Sequence, residues 1–214
     1  MSLTYATYLK LDKLLSLQQP ISVEPKHNET LFIVVHQATE LWFKQILHEL
    51  DHLRKLLTEN KQSMALDTIK RILAILRIQI GHFNILETMT PTEFLTFRGD
   101  LGTASGFQSY QFRELEFILG VKSMKRFNNL PDGGTEQRQL KMRYQQPTLW
   151  DSFLRYIANK AYNVPQYLLN RDVTQPLEPS QDVQDILIEI YHNDLPITQV
   201  CEGLIDLDEL IQEW

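Results

Sequence analysis

A single long helical repeat between residues 29 and 60 constrains the fold of this chain more than any other feature. Its apolar residues recur at spacings of three and four, which places them on one side of a helix of about nine turns. A stripe of this length needs other long helices to cover it, so the repeat favours a helical bundle. The stripe is formed by Phe32, Val35, Trp42, Phe43, Ile46, Leu50, Leu53 and Leu57.

The remainder of the chain continues the helical pattern and contains no convincing strand. Thr90 and Pro91 mark a helix start, since Thr is a good N-cap and Pro suits the first helical position. The sequence therefore predicts an all-α fold with one domain over residues 1–214. Its expected parts are an N-terminal arm helix within residues 1–18, further helices at 62–87, 107–120, 147–170 and 181–214, and a loop at 171–180.

Composition excludes several classes of protein. Hydrophobic residues make up 43% of the 214 residues, which is typical of a globular protein and rules out a disordered one. The single cysteine, Cys201, excludes a disulfide scaffold and a Cys-based metal site within one chain. A net charge of -6 argues against a general nucleic-acid partner. No apolar run is long enough to span a membrane, and we expect a soluble, cytoplasmic protein.

One short motif matches a zinc pattern. His48, Glu49 and His52 form H-E-x-x-H, which on a helix places both imidazoles on one face with the Glu available as a general base. No third ligand follows at a convincing distance, and the neighbouring residues are charged. The pattern therefore favours a solvated helix face over a zinc hydrolase, and the site prediction includes no metal ligand.

Two further features allow both a structural and a functional interpretation. His36 lies on the same helix face as Phe32 and Glu40, where a histidine is either a core residue or a functional group. Arg98 follows several aromatic residues and precedes a glycine-rich loop at residues 99–106. Its guanidinium can bind a carboxylate through two hydrogen bonds or can bind the loop carbonyls.

Five ordered segments together resemble the tryptophan 2,3-dioxygenase family. They are LTYATYLKLD at residues 3–12, LFIVVHQATELW at 31–42, LETMTP at 86–91, FRGDLGTASGFQS at 97–109 and CEGL at 201–204. Their order and spacing match those of the family over essentially the whole chain. The resemblance implies an all-α haem enzyme that inserts O₂ across the indole C2–C3 bond of L-tryptophan and gives N-formylkynurenine, in the kynurenine pathway of tryptophan catabolism.

The resemblance also implies roles for individual residues in the pocket. It assigns His36 to the distal side of the haem, facing the indole N–H, and Phe32 to packing against the indole ring. It assigns Arg98 to the substrate carboxylate and places Ser105 near both haem and substrate. Gly106, in the same loop, is expected to contact the cofactor, which is haem b.

The family resemblance further implies a homotetramer. In the family, residues that match Tyr5, Tyr8 and Leu9 reach into the substrate pocket of a neighbouring subunit. We therefore expect exchanged N-terminal arms, with L-tryptophan and O₂ as small-molecule partners.

The last segment leads to a further expectation. Its apolar repeat continues to Trp214, and the family's proximal histidine, which ligates the haem iron, is expected beyond that residue. The resemblance thus implies a chain shortened at its C-terminus. Replacement of the proximal ligand by another histidine, such as His192, stays open. A haem-free relative or fragment that only binds an indole amino acid, or only assembles, is the alternative to the enzyme.

Overall fold

The computed structural model describes residues 3–24, 26–127 and 134–214, and within these ranges it contains helices and no β-strand. The prediction of an all-α fold is therefore confirmed. No helix within these ranges has the length and apolar character required to cross a membrane. The α-helices are α1 (Tyr5–Leu9), α2 (Leu11–Leu14), α3 (His27–Thr58), α4 (Gln62–Leu86), α5 (Pro91–Arg98), α6 (Tyr110–Ile118), α7 (Thr135–Tyr144), α8 (Leu149–Asn159), α9 (Gln166–Leu169), α10 (Gln181–Asn193) and α11 (Leu195–Glu213).

Two compact units make up the chain. The smaller unit comprises Met1–Glu40 and Gly81–Ala104, and the larger unit comprises Leu41–Ile80 and Ser105–Trp214. The helices α3 and α4 each contribute residues to both units. The assignment of one domain to residues 1–214 stays a prediction.

The larger unit contains the main hydrophobic core. The apolar stripes of α3 and α4 supply much of it, and the rest comes from α6, α8, α9, α10 and α11 and from Val164. Gly203 in α11 allows a close helix contact, since a Cβ atom there would lie 2.8 Å from Cγ2 of Ile69 in α4. The largest fully buried side chains of the larger unit include Tyr156, Phe153, Phe117, Ile46, Leu50, Leu53 and Leu57.

Charged groups inside the larger unit are held by several partners each. The Lys122 ammonium is buried and donates hydrogen bonds to the carbonyls of Arg143, Tyr144 and Gln146, at 3.2, 2.8 and 2.9 Å. These carbonyls lie at the C-terminal end of α7, where backbone acceptors lack helical partners. Arg171 donates to both carboxylate oxygens of Asp151, at 2.6 and 3.0 Å.

The smaller unit buries far fewer apolar side chains. Among its described residues, Val35 and Phe97 are the buried apolar ones. Glu29 is also buried, and its carboxylate accepts hydrogen bonds from the backbone N–H groups of Ile21 and Ser22 and from the Ser22 hydroxyl. These bonds attach the segment before α3 to the first turn of that helix.

The sequence predicts one continuous helix in the N-terminal arm, and this prediction is wrong. Residues 1 and 2 lie outside the described residues, and the segment from residue 3 onward forms two short helices, α1 and α2, with Lys10 between them. Lys10 adopts a left-handed conformation, with φ 52° and ψ 44°, which ends α1. Apolar spacing alone gives no sign of such a break, because a left-handed lysine is an uncommon choice.

The remaining differences are one divided repeat and one missed helix. Pro165 predicts a break or kink in the helix over 147–170, and this is confirmed, since α8 ends at Asn159 and α9 begins directly after Pro165. The repeat predicted over 181–214 is divided into α10 and α11. No prediction was made for α7, whose one buried residue is Leu140. The sequence also predicts a turn at Pro131, Asp132, Gly133 and Gly134, of which all but Gly134 lie outside the described residues.

Candidate active site

Phe32 and His36 form the first part of the candidate site, on α3 within the smaller unit. Their ring centroids are 4.0 Å apart, and His36 Nδ1 lies 2.7 Å from the Phe32 carbonyl oxygen. Because a carbonyl can only accept, Nδ1 carries the proton in this bond. In the neutral ring, Nε2 then keeps its lone pair and can accept a hydrogen bond from a ligand N–H.

Phenylalanine side chains extend this surface. Phe97 is fully buried and its ring centroid lies 5.7 Å from that of Phe32 and 5.4 Å from that of Phe94. Phe32 and Phe94 are themselves 5.7 Å apart and are partly exposed. Such a cluster gives a planar apolar ligand a surface on which to pack.

Arg98 is the last residue of α5, the helix that carries Phe94 and Phe97. Thr90 and Glu93 form a capping box at the start of α5 and Pro91 takes the first position, as the sequence predicts. The Arg98 side chain is half-buried, and its Nη1 donates to the Gly102 carbonyl oxygen at 3.0 Å. No described residue accepts a hydrogen bond from its Nε or Nη2, so one edge of the guanidinium can still bind a carboxylate.

Ser105 and Gly106 fall in the larger unit, so the two sequence-predicted loop residues are not grouped with Phe32, His36 and Arg98. The Ser105 hydroxyl accepts a hydrogen bond from Phe107 N–H at 3.3 Å and caps a short 3₁₀ helix that begins at Gly106. Both residues are exposed, and no heavy atom lies within 4 Å of a Cβ built on Gly106.

The predicted arm residues are strongly exposed. Tyr5 is 76% exposed, Tyr8 70% and Leu9 41%. A capping box formed by Thr4 and Thr7 fixes the start of α1, which has no buried residue. These side chains therefore form an apolar surface that the described residues leave open to solvent.

In the structure the central glutamate of the zinc pattern accepts hydrogen bonds from neighbouring side chains. Glu49 is buried, and its carboxylate accepts hydrogen bonds from Arg71 Nη1, at 3.2 and 3.1 Å, and from Gln45 at 2.7 Å. His48 and His52 are exposed. Among the described residues no group of three or more His, Cys, Asp or Glu side chains could hold a metal ion. The Glu49 carboxylate stabilises helix packing, a role that the motif did not indicate.

The described residues fit one side of a haem but do not supply its iron ligand. The His36 ring and the Phe32 side chain suit one wall of a haem pocket, and an imidazole nitrogen is a competent axial donor in general. The resemblance, however, assigns His36 to the indole N–H. Among the described residues no other histidine ring contacts Phe32 or Phe94, so this surface offers no second imidazole for the iron.

Two residues that position Arg98 are absent from the site residues that the sequence predicts. Phe97 is a fully buried aromatic residue directly before the arginine and fixes that part of α5. Gly102 lies in the glycine-rich loop, and its carbonyl accepts the hydrogen bond from Arg98. The signal that could have identified Gly102 is its position four residues after the arginine, just beyond the helix end.

Comparison with known proteins identifies the family. The family model described as tryptophan 2,3-dioxygenase matches residues 1–132. A tryptophan 2,3-dioxygenase of Herpetosiphon aurantiacus is 51% identical, over 100% of this chain and 82% of its own length. Similar relatives occur in Anaeromyxobacter sp., at 44% identity with 100% and 79% coverage, and in Caulobacter vibrioides, at 39% identity with 99% and 81% coverage. The chain belongs to the tryptophan 2,3-dioxygenase family.

Proposed function

We propose that this chain cleaves the indole C2–C3 bond of L-tryptophan with O₂, so that both oxygen atoms enter N-formylkynurenine. The observation that carries the proposal is the hydrogen bond from His36 Nδ1 to the Phe32 carbonyl. This bond leaves Nε2 as an acceptor beside an aromatic surface, in the same unit as an arginine with an open guanidinium edge. The family membership of the chain supports the same reaction.

Each residue of the surface has a role that suits one part of the substrate. The indole ring packs against Phe32, and its N1–H donates to His36 Nε2. The carboxylate binds to Nε and Nη2 of Arg98 through two parallel charge-assisted hydrogen bonds. Together these contacts hold the amino acid at three points and orient the C2–C3 bond.

The proposed cofactor is haem b, with Ser105 and Gly106 near it. Haem, when bound, supplies the binding and activation of O₂. The part of the reaction assigned to this chain's residues is to bind and orient L-tryptophan and to accept the indole hydrogen bond.

The proposed assembly is a homotetramer with exchanged N-terminal arms. Exposure of Tyr5, Tyr8 and Leu9 supports this proposal, because a five-residue helix with an apolar surface is not stable alone. Deletion of residues 1–18 is expected to lower the mass measured by light scattering. A deleted chain with the same mass and the same L-tryptophan affinity as the parent would contradict the exchange of arms.

The proposed compartment is the cytoplasm. Cys201, the single cysteine, is a free, buried thiol. A chain with one cysteine forms no disulfide within itself, as is usual for proteins of a reducing compartment.

Product formation tests the reaction. The purified chain is mixed with haem, reduced, and supplied with L-tryptophan and O₂, and N-formylkynurenine is measured by chromatography and mass spectrometry. We expect product from the parent and from Arg77→Ala, an exposed arginine in the larger unit, and at least about tenfold less from Arg98→Ala. A haem-loaded parent chain that binds L-tryptophan and forms no product would contradict the proposed reaction.

A further inference from the structure

The Arg98 side chain is held by a backbone atom from the loop that follows its own helix. The helix α5 ends at Arg98, and Nη1 donates to the carbonyl of Gly102, four residues later, at 3.0 Å. Both residues belong to the smaller unit. The orientation of the guanidinium therefore depends on where the loop places this carbonyl.

Gly102 places its carbonyl by means of an unusual backbone conformation. Its φ is +56°, in the left-handed region that residues with a side chain rarely adopt. Hydrogen bonds from Gly102 N–H to the Gly99 carbonyl, at 3.4 Å, and from Ala104 N–H to the Leu101 carbonyl, at 3.0 Å, form turns on both sides of it. No heavy atom lies within 4 Å of a Cβ built on Gly102, so the constraint comes from the backbone angle and not from lack of space.

The bond to the Gly102 carbonyl uses Nη1 of the guanidinium and leaves Nε and Nη2. Arginine has five N–H groups in a plane, and the Nε–H and one Nη2–H point in parallel from one edge. That edge matches the two oxygens of a carboxylate. With Nη1 fixed by the Gly102 carbonyl, the Nε–Nη2 edge has a fixed direction, and no described residue accepts a hydrogen bond from it.

We propose that Gly102 is a positioning residue for carboxylate recognition, because its left-handed backbone directs the carbonyl that orients Arg98. The inference rests on the proposed function, which assigns the substrate carboxylate to Arg98. Gly102 does not touch the substrate and acts through the arginine alone. Its loss should therefore affect ligands that carry a carboxylate and leave ligands without one unchanged.

A pair of ligands and a set of glycine variants test this inference. The dissociation constants of L-tryptophan and of tryptamine, which lacks the carboxylate, are measured by calorimetry for the parent chain and each variant. Gly102→Ala strains the left-handed backbone, whereas Gly102→Asn keeps it accessible, since asparagine tolerates this region. Gly99→Ala is the matched control, because Gly99 has a right-handed φ of -63° and open space around its Cβ position.

We expect Gly102→Ala to weaken L-tryptophan binding about tenfold and to leave tryptamine binding unchanged. Gly102→Asn and Gly99→Ala should keep the parent's ratio of the two constants. Circular dichroism and thermal melting establish that all variants are folded.

The outcomes separate this inference from the proposed function. If the parent binds L-tryptophan through Arg98, as shown by a loss in Arg98→Ala, and Gly102→Ala binds both ligands as the parent does, the positioning role is wrong. Equal weakening of both ligands by Gly102→Ala would also contradict it, since that pattern indicates general damage to the loop. A parent chain that does not bind L-tryptophan contradicts the proposed function, and this inference with it.

Discussion

His36 and Arg98 of the smaller unit differ from Lys122 and Arg171 of the larger unit in how many hydrogen-bond partners the protein gives them. In the larger unit, Lys122 donates to three carbonyls, and Arg171 uses two nitrogens on the Asp151 carboxylate. In the smaller unit, His36 and Arg98 each bind one backbone carbonyl among the described residues, and their other polar atoms have no partner there. A side chain held by a single carbonyl is fixed in direction and can still bind a ligand, whereas a side chain with all its partners in the protein mainly stabilises the fold.

The two units also differ in how many apolar side chains they bury. The larger unit has a continuous core across seven helices, and the smaller unit buries few apolar side chains and exposes Tyr5 and Tyr8. Burial stabilises a unit by about 25 cal/mol per Å² of apolar surface. Substitutions inside the larger unit should therefore change stability, and substitutions at the surface of the smaller unit should change binding.

The largest expected effect comes from Lys122→Met. The variant keeps an unbranched side chain but removes the ammonium that donates to three carbonyls at and just beyond the end of α7, which should lower the free energy of unfolding by about 3 kcal/mol. Urea denaturation measures this change. Lys125→Met is the control, because Lys125 is exposed. Equal stability of the two variants would show that Lys122 does not hold the end of α7.

A somewhat smaller effect is expected for Asp151→Asn, and it should depend on pH. Burial raises the pKa of Asp151, but hydrogen bonds from Arg171 and Thr148 outweigh burial and hold the pKa below its ordinary value. The stabilising contribution is therefore present above the pKa of the unfolded chain and is lost as the pH falls through the lower pKa of the folded chain.

At neutral pH the Asp151→Asn variant should be about 2 kcal/mol less stable than the parent. This difference should shrink between about pH 5 and about pH 2 in denaturant titrations. Asp67→Asn, at an exposed position, serves as the control. A difference between parent and Asp151→Asn that stays constant over this range would contradict the assignment of a lowered pKa.

Alanine substitutions at one helical glycine in each unit compare how tightly the two units pack. In Gly203→Ala the new Cβ would lie 2.8 Å from the Ile69 side chain in the larger unit, which should cost about 1.5 kcal/mol. In Gly81→Ala, within the smaller unit's part of α4, the Cβ meets nothing within 4 Å, and the better helix former should add about 0.5 kcal/mol. Thermal melting measures both changes. We expect Gly203→Ala to lower the melting temperature and Gly81→Ala to raise it. A lower melting temperature for Gly81→Ala would contradict the difference in packing between the two units.

The smallest effect is expected for His48→Gln. The side chain is exposed, so stability should change by less than about 0.5 kcal/mol. Added zinc should not raise the melting temperature of the parent, since among the described residues no third His, Cys, Asp or Glu side chain completes a metal site with His48 and His52. A zinc-dependent rise in melting temperature that disappears in His48→Gln would show that the motif does bind zinc.

Local signals in the sequence predicted the parts of the fold that local interactions determine. The apolar repeat located α3 and α4, and Thr90 with Pro91 located the start of α5. The helix α7 was missed because its sequence has almost no apolar repeat, and a contact from Lys122, more than 20 residues away, holds its C-terminal end.

The candidate site was predictable by residue type but not by geometry. Phe32, His36 and Arg98 were identified from the family's motifs, and the structure places them in one unit. The tautomer of His36 and the acceptor of Arg98 depend on backbone carbonyls, which no residue pattern specifies. Ser105 and Gly106 fall in the other unit, so their proposed roles rest on the resemblance alone.

The central claim is that the open guanidinium edge of Arg98 binds the carboxylate of L-tryptophan. Calorimetric titration of L-tryptophan into the parent, Arg98→Ala and Arg77→Ala chains tests it most directly. The account predicts saturable binding to the parent and to Arg77→Ala with the same dissociation constant, and binding at least about tenfold weaker to Arg98→Ala. Equal affinity of all three chains for L-tryptophan would contradict the account.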